Sequence, residues 1–150
     1  MTNMFARLIN IAAVALTGAV VLVSGGNASA SNQVLARVDL SEQRMIVSVG
    51  GRPAFEWKVS TAGKGYVTPT GSWKPTRMHT MWYSKKYDNA PMPHSVFFTG
   101  GYAIHATNAV KRLGTPASHG CVRLAPEHAS DFYQLVRTFG PQNTQIVIER

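Results

Sequence analysis

The chain has 150 residues and a formal net charge of +8. That length fits one domain, and a hydrophobic share of 45% supplies a core and excludes a disordered chain. The basic residues are scattered, with no run longer than Lys85-Lys86 or Lys111-Arg112 and no basic helix or RNA-binding motif, so nucleic acid is not an expected partner.

The first thirty residues read as a targeting segment. Met1 to Arg7 carries one positive side chain and no acid, Leu8 to Val23 is apolar and small, and Ala28-Ser29-Ala30 offers the small-x-small pattern of a cleavage site. The apolar run is shorter than the roughly 20 residues of a spanning helix. Residues 1–30 are therefore expected to be a signal peptide, removed on export to the periplasm or cell envelope, with no stable membrane insertion afterwards. No Cys follows the apolar run, so lipoprotein processing is not indicated. Cleavage before Ser31 leaves a domain over 31–150; losing only Arg7 takes the charge from +8 to +7. An exported cationic protein meets anionic polymers and acidic peptides.

The elements follow in chain order. Val34 to Leu40 alternates apolar and polar residues, with Leu35 out of step, and Arg44 to Val49 follows a Ser41-Glu42 turn. Gly50-Gly51 suits a tight hairpin, because glycine tolerates positive φ. Ala54 to Ser60 returns as a strand with Phe55, Trp57 and Val59 on one face. Thr61 to Gly71, rich in Gly, Thr and Pro, is expected as loop, and Ser72 to His79 as a further strand. Met81 to Pro93 is polar and aromatic, carries Pro91 and Pro93, and reads as a long loop of the kind that forms lids or substrate walls. Ser95 to Thr99 and Tyr102 to Ala106 read as strands about Gly100-Gly101.

One helix is predicted. Pro126 suits a first helical turn, where its missing N–H goes unneeded, and Glu127 suits the positive end of the helix dipole. Ala129, Phe132, Tyr133, Val136 and Phe139 recur at helical spacing, and Gly140-Pro141 ends the run. Gln145 to Ile148 closes as a strand. The fold class is mostly β (α+β) with one main helix near the C-terminus.

Chemistry concentrates at Ile104-His105-Ala106 and at Ala117-Ser118-His119-Gly120-Cys121-Val122-Arg123-Leu124. Cys121 is the one cysteine, so within the chain it has no disulfide partner. A thiol becomes a useful nucleophile beside a general base, and cationic or imidazole neighbours lower its pKa from about 8.5. His119 and Arg123 flank Cys121 at two residues on either side, a spacing that shares one face in extended chain. His105 ends a predicted strand that can lie beside it. Gly120 lets the chain turn so that its own N–H and that of Cys121 converge as an oxyanion hole, and Ser118 can hydrogen-bond the loop. His105, His119 and Cys121 amount to three zinc ligands at most and lack a paired-ligand spacing, so no metal and no cofactor is expected. His79, His94 and His128 belong to no motif and read as structural or surface residues.

Ser118-His119-Gly120-Cys121-Val122-Arg123, preceded by Ile104-His105, resembles the signature of the L,D-transpeptidase catalytic domain (the YkuD family). Asp39-Leu40-Ser41-Glu42-Gln43-Arg44-Met45 resembles its opening strand pair, and Val59-Ser60-Thr61-Ala62 with Thr68-Pro69-Thr70-Gly71 resembles its mid-domain loop. The likeness covers Val34 to Ile148. Ala106 stands where the family often has Gly. The resemblance implies a mixed β-sandwich with the site in a cleft beneath a loop. It implies acylation of Cys121 by a peptidoglycan stem peptide at the L-to-D bond between its third and fourth residues, and transfer of the acyl group to an amine. The acceptor would be a second stem peptide, a wall-anchored outer-membrane protein or lipoprotein, or a free D-amino acid. Carried over by position, Cys121 is the nucleophile and His105 the base. His119 and Gly120, with Ser118, shape the site and oxyanion hole, and Arg123 binds substrate carboxylate or orders the loop. Two alternatives stay open: a cysteine L,D-carboxypeptidase or amidase that hydrolyses stem peptides or protein–wall links, and a non-enzymatic cationic wall-binding protein.

Overall fold

A computed structural model describes residues 33–150; the expected signal peptide lies outside the described residues. Among the described residues no helix is long and apolar enough to cross a membrane.

Two sheets face each other. The first has the order β3-β2-β1-β9-β4, from β1 (Val34–Asp39), β2 (Arg44–Val49), β3 (Arg52–Lys58), β4 (Gly71–Trp73) and β9 (Thr144–Glu149). The chain's final strand is inserted beside its first, parallel to it, with Val34 opposite Thr144 and Val38 opposite Ile148. The second sheet has the order β5-β6-β7-β8, from β5 (Arg77–Ser84), β6 (Ala90–Thr99), β7 (Tyr102–Ala106) and β8 (Val122–Leu124). The helix α1 (Pro126–Phe139) packs against β6 and β7.

Period-two burial explains the sandwich. Val34, Ala36 and Val38 of β1, Met45 and Val47 of β2, and Ile146 and Ile148 of β9 are buried from one sheet. Val96, Phe98, Ile104, Ala106, Val122 and Leu124 meet them from the other. The predicted helical stripe closes the same core through Ala129, Phe132, Tyr133 and Val136. Trp57 and Val59 are buried as expected, but Phe55 on the same face is 38% exposed.

The glycine hairpins form as read: Gly50 and Gly51 have φ of 59° and 78°, and Gly100 has 49°. Two other expectations are corrected. Ser72 to His79 is not one strand. Lys74-Pro75-Thr76 breaks it, and β4 joins the first sheet while β5 begins the second. Met81 to Pro93 is not a loop; it is the distal arm of the β5–β6 hairpin, with Met81 opposite Pro93 and Tyr83 opposite Pro91. Asp88 and Asn89 take φ of 49° and 53°, and Ala90 N donates to Tyr87 O at 2.8 Å. Asp88 and Asn89 thus close a five-residue connection, Lys85 to Asn89, between the paired residues Ser84 and Ala90. Prolines are tolerated because β7 pairs β6 only over Val96–Thr99, so the Ala90–Pro93 stretch has a neighbour on one side and needs no outward N–H.

Candidate active site

Cys121 sits just before β8, and His105 lies in β7, next to it in the sheet. The parallel β7–β8 ladder sets Ile104 opposite Val122 and His105 opposite Arg123. Cys121, His105, His119 and Arg123 all line one cavity of about 1170 Å³. That volume exceeds the usual range for small-ligand pockets and suits an extended peptide. The hairpin arm supplies one wall through Met92, Pro93 and Tyr87, and the 62–70 loop another through Tyr66 and Val67. The segment expected as a loop of the lid or substrate-wall kind borders the cleft, as a strand pair rather than a loop.

The segment before Cys121 is held by a relay of hydrogen bonds. Ser118 Oγ donates to Cys121 O at 2.6 Å and accepts from Gly120 N at 3.0 Å. Ser118 N donates to Thr61 O at 2.8 Å, while Thr61 N donates to the side-chain oxygen of Gln43 at 2.9 Å. Gln43 in turn donates Nε2 to Thr61 Oγ1 at 2.6 Å and to Leu40 O at 2.7 Å. On the other side Thr68 Oγ1 donates to Gly120 O at 2.8 Å. Ser118, Thr61, Gln43 and Thr68 are all buried, and buried polar groups stay only when bonded. Of this relay the sequence singled out Ser118 alone. Gln43 and Thr68 lie in segments that resemble the family's, but carry no chemical pattern of their own.

Gly120 has φ of 127°, and a Cβ built there would lie 2.5 Å from Tyr102 Cε1 and 2.7 Å from Val67 O. Glycine is required by both conformation and space. The turn also separates three residues that an extended chain would align. His119, Cys121 and Arg123 share the cavity, not one strand face. The Gly120 N–H assigned to an oxyanion hole is engaged by Ser118 Oγ, so it is not a free donor in this structure.

The two histidines occupy different environments. His105 is buried, and its Nδ1 lies 2.7 Å from Ala106 O. A carbonyl oxygen only accepts, so Nδ1 carries the hydrogen and Nε2 the lone pair. Burial, and next the Arg123 cation, lower the His105 pKa from 6.5 to about 4, against the raising effect of the Ala106 bond. It is neutral at neutral pH. His119 is exposed and held between aromatic rings, 4.3 Å from Tyr87 and 4.5 Å from Tyr66 by centroids.

The thiol departs from expectation. Burial pushes the Cys121 pKa up, and the Ala103 backbone and Arg123 cation only partly pull it back. Desolvation outweighs these neighbours. Its Sγ lies 3.9 Å from Gly101 O and packs with Met92, Phe97 and Ala103. The resting pair is thus a neutral thiol and a neutral imidazole. Among the described residues no three His, Cys, Asp or Glu side chains are grouped to hold a metal ion.

A lone thiol and a neutral buried histidine lining one peptide-sized cleft are residue types that nucleophilic chemistry can use. The chain matches the L,D-transpeptidase catalytic domain (YkuD) over residues 33–148, and it belongs to that family. It is 29% identical over 127 residues to the L,D-transpeptidase homologue YciB of Bacillus subtilis (strain 168), covering 74% of this chain and 63% of that protein. Among solved structures, an L,D-transpeptidase from Stackebrandtia nassauensis is 29% identical with a TM-score of 0.68, over 79% of this chain and 56% of the other. The fold also matches an L,D-transpeptidase from Mycobacterium smegmatis, with a TM-score of 0.71 at 21% identity, over 79% of this chain and 59% of the other. The chain spans less than two thirds of each of these relatives.

Proposed function

We propose that this protein is an L,D-transpeptidase whose Cys121 is acylated by a peptidoglycan stem peptide and passes the acyl group to an amine. The observation that carries the reading is that Cys121 and His105, from adjacent elements of one sheet, both line one peptide-sized cavity. His105 keeps its Nε2 lone pair free because Nδ1–H is committed to Ala106.

In the first step the thiol proton passes to His105 Nε2 as Sγ attacks the donor carbonyl. The C–S bond forms, the peptide C–N bond breaks, and the imidazolium returns the proton to the departing D-amino acid. A neutral base at rest is the competent state for this transfer. Arg123, whose cation favours negative charge on Cys121, stabilises charge developing at the reacting centre. In the second step an amine attacks the thioester, the C–N bond forms as the C–S bond breaks, and one amine proton passes to the departing Cys121 thiolate. Orientation decides whether amine or water wins.

The test is rapid acid quench of enzyme mixed with donor tetrapeptide, followed by peptide mapping. The expected result is an added tripeptide mass on the fragment containing Cys121, discharged by a diaminopimelate-bearing acceptor into a cross-linked product. Release of free tripeptide at one rate with or without acceptor would instead make it a hydrolase. The same reading puts the enzyme in the cell envelope after loss of residues 1–30.

A further inference from the structure

The parallel β7–β8 ladder ends at Cys121, and the groups it leaves unpaired on β7 meet the sulfur. Bonds in a parallel ladder are evenly spaced. Thr107 N donates to Leu124 O at 2.9 Å, and the register sets Ile104 opposite Val122 and Ala106 opposite Leu124. By that spacing His105 N belongs to Val122 O. The next rung back would join Ala103 N to Gly120 O and Gly120 N to Gly101 O. Both Gly120 groups are taken elsewhere: its N donates to Ser118 Oγ at 3.0 Å, and its O accepts from Thr68 Oγ1 at 2.8 Å. The turn at Gly120, with φ of 127°, carries them away from β7 and vacates the rung.

On the β7 side the vacated rung keeps one acceptor and one donor. Gly101 O lies 3.9 Å from Cys121 Sγ. Burial has the largest influence on the thiol and raises its pKa; the Ala103 N–H, which bonds the sulfur, comes next and lowers it, ahead of Arg123. Ala103 is fully buried, where an unpaired N–H is costly. The two groups have complementary uses. A carbonyl can only accept from S–H, whereas an N–H bonds most strongly to a charged acceptor. The rung therefore offers the sulfur one partner for each protonation state.

We propose that the Ala103 N–H is a catalytic donor that holds Cys121 as thiolate, with the Gly101 carbonyl as the resting partner of the thiol. This use of the rung rests on the thioester reading above. In acylation the S–H bond breaks, its proton goes to His105 Nε2, and the sulfur exchanges Gly101 O for the Ala103 N–H as its charge develops. In transfer the electron pair of the C–S bond returns to sulfur, and the same N–H holds it until a proton from the amine arrives. The donor is backbone, so no residue type marks it in the sequence.

The experiment replaces Ala103 in the full chain by lactic acid, its α-hydroxy counterpart, which exchanges the N–H for an ester oxygen and keeps the methyl. Losing a hydrogen bond to a charged group should cost about 10- to 100-fold. Alkylation of Cys121 by iodoacetamide, which reports the thiolate, should slow by that factor at neutral pH. The midpoint of its pH profile should rise, and acylation by donor tetrapeptide should slow in parallel. The sign separates this from mere loosening, because admitting water relieves the burial that raises the thiol pKa and lowers the midpoint. A folded ester variant with an unchanged or lowered midpoint overturns the proposal. If the ester does not fold, amide hydrogen exchange in wild type and Cys121→Ala decides. Without the sulfur the Ala103 N–H should exchange about 10-fold faster while that of His105 is unchanged; equal protection of Ala103 overturns the proposal. A raised midpoint with no thioester formed from donor peptide overturns the nucleophile reading instead, and the catalytic use of this donor with it.

Discussion

The imidazole of His105 is tied by Nδ1 to the carbonyl oxygen of the next residue, Ala106, at 2.7 Å. One hydrogen bond fixes the tautomer, and burial beneath the sheet keeps the ring neutral. The base is thereby set without the carboxylate that orients histidine in many hydrolases, and its pH behaviour follows.

With a folded pKa of about 4, His105 loses its Nε2 lone pair only below that value. The acid limb of kcat/KM for acylation should therefore lie near pH 4, not near 6.5. A pH–rate profile with donor peptide checks this; a limb at 6.5 would show that His105 is not the base.

The same shift couples to stability. Above pH 6.5 the ring is neutral whether folded or unfolded, and the native state keeps its full stability. As pH falls from 6.5 to about 4, the unfolded chain takes up a proton that the native chain resists, so stability is lost; below about 4 this residue costs nothing more. The whole span is on the order of 3 kcal/mol. Urea midpoints at pH 7 and pH 4 should differ less for His105→Gln than for wild type.

Replacing Cys121 by Ala should abolish turnover and leave the melting transition close to wild type, because little volume is lost. Cys121→Ser should be nearly as inactive, since a hydroxyl is far harder to ionise. His105→Ala should slow acylation by a factor on the order of 10²–10⁴. His119→Ala, which loosens only the Tyr66 and Tyr87 stack, should cost much less. If the two histidine variants ranked the other way, their roles would be exchanged.

The relay behind the nucleophile is testable from its far end. Gln43→Leu removes both bonds to Thr61 and leaves the Thr61 N–H buried without a partner, which should cost about 1–3 kcal/mol. It should also slow acylation, although Gln43 lines no part of the cavity. Gly120→Ala should be worse in both respects, because the new methyl meets Tyr102 and the Val67 carbonyl in a left-handed backbone. Denaturant melts and single-turnover acylation measure each. A Gln43 variant with normal stability would remove the relay from the account.

Much of this site was legible because covalent chemistry restricts residue types. Few side chains serve as nucleophile and base, so Cys121 and His105 stand out, and Gly120 follows from the turn they require. The sandwich was legible where burial alternates along one strand, as in β1. The β5–β6 arm was not, because Pro91 and Pro93 read as breakers unless one knows that β7 pairs β6 only from Val96 onward. The Asp88-Asn89 turn was its available signal and was missed. Tyr66 and Tyr87 meet His119 from segments distant in sequence, and Arg77 meets Phe97 across a ladder. Such contacts exist only once the sheet has formed.

The prolines of the arm have a further effect. Pro91 and Pro93 are opposite Tyr83 and Met81, and a proline cannot donate to a partner, so their missing N–H groups belong to the side facing away from β5. A bare sheet edge beside a peptide-sized cleft would invite any extended chain to zip on as an extra strand. Here alternate donors along that border are deleted. A visiting peptide is refused generic backbone pairing and must be recognised by its side chains, its stereochemistry and its charge.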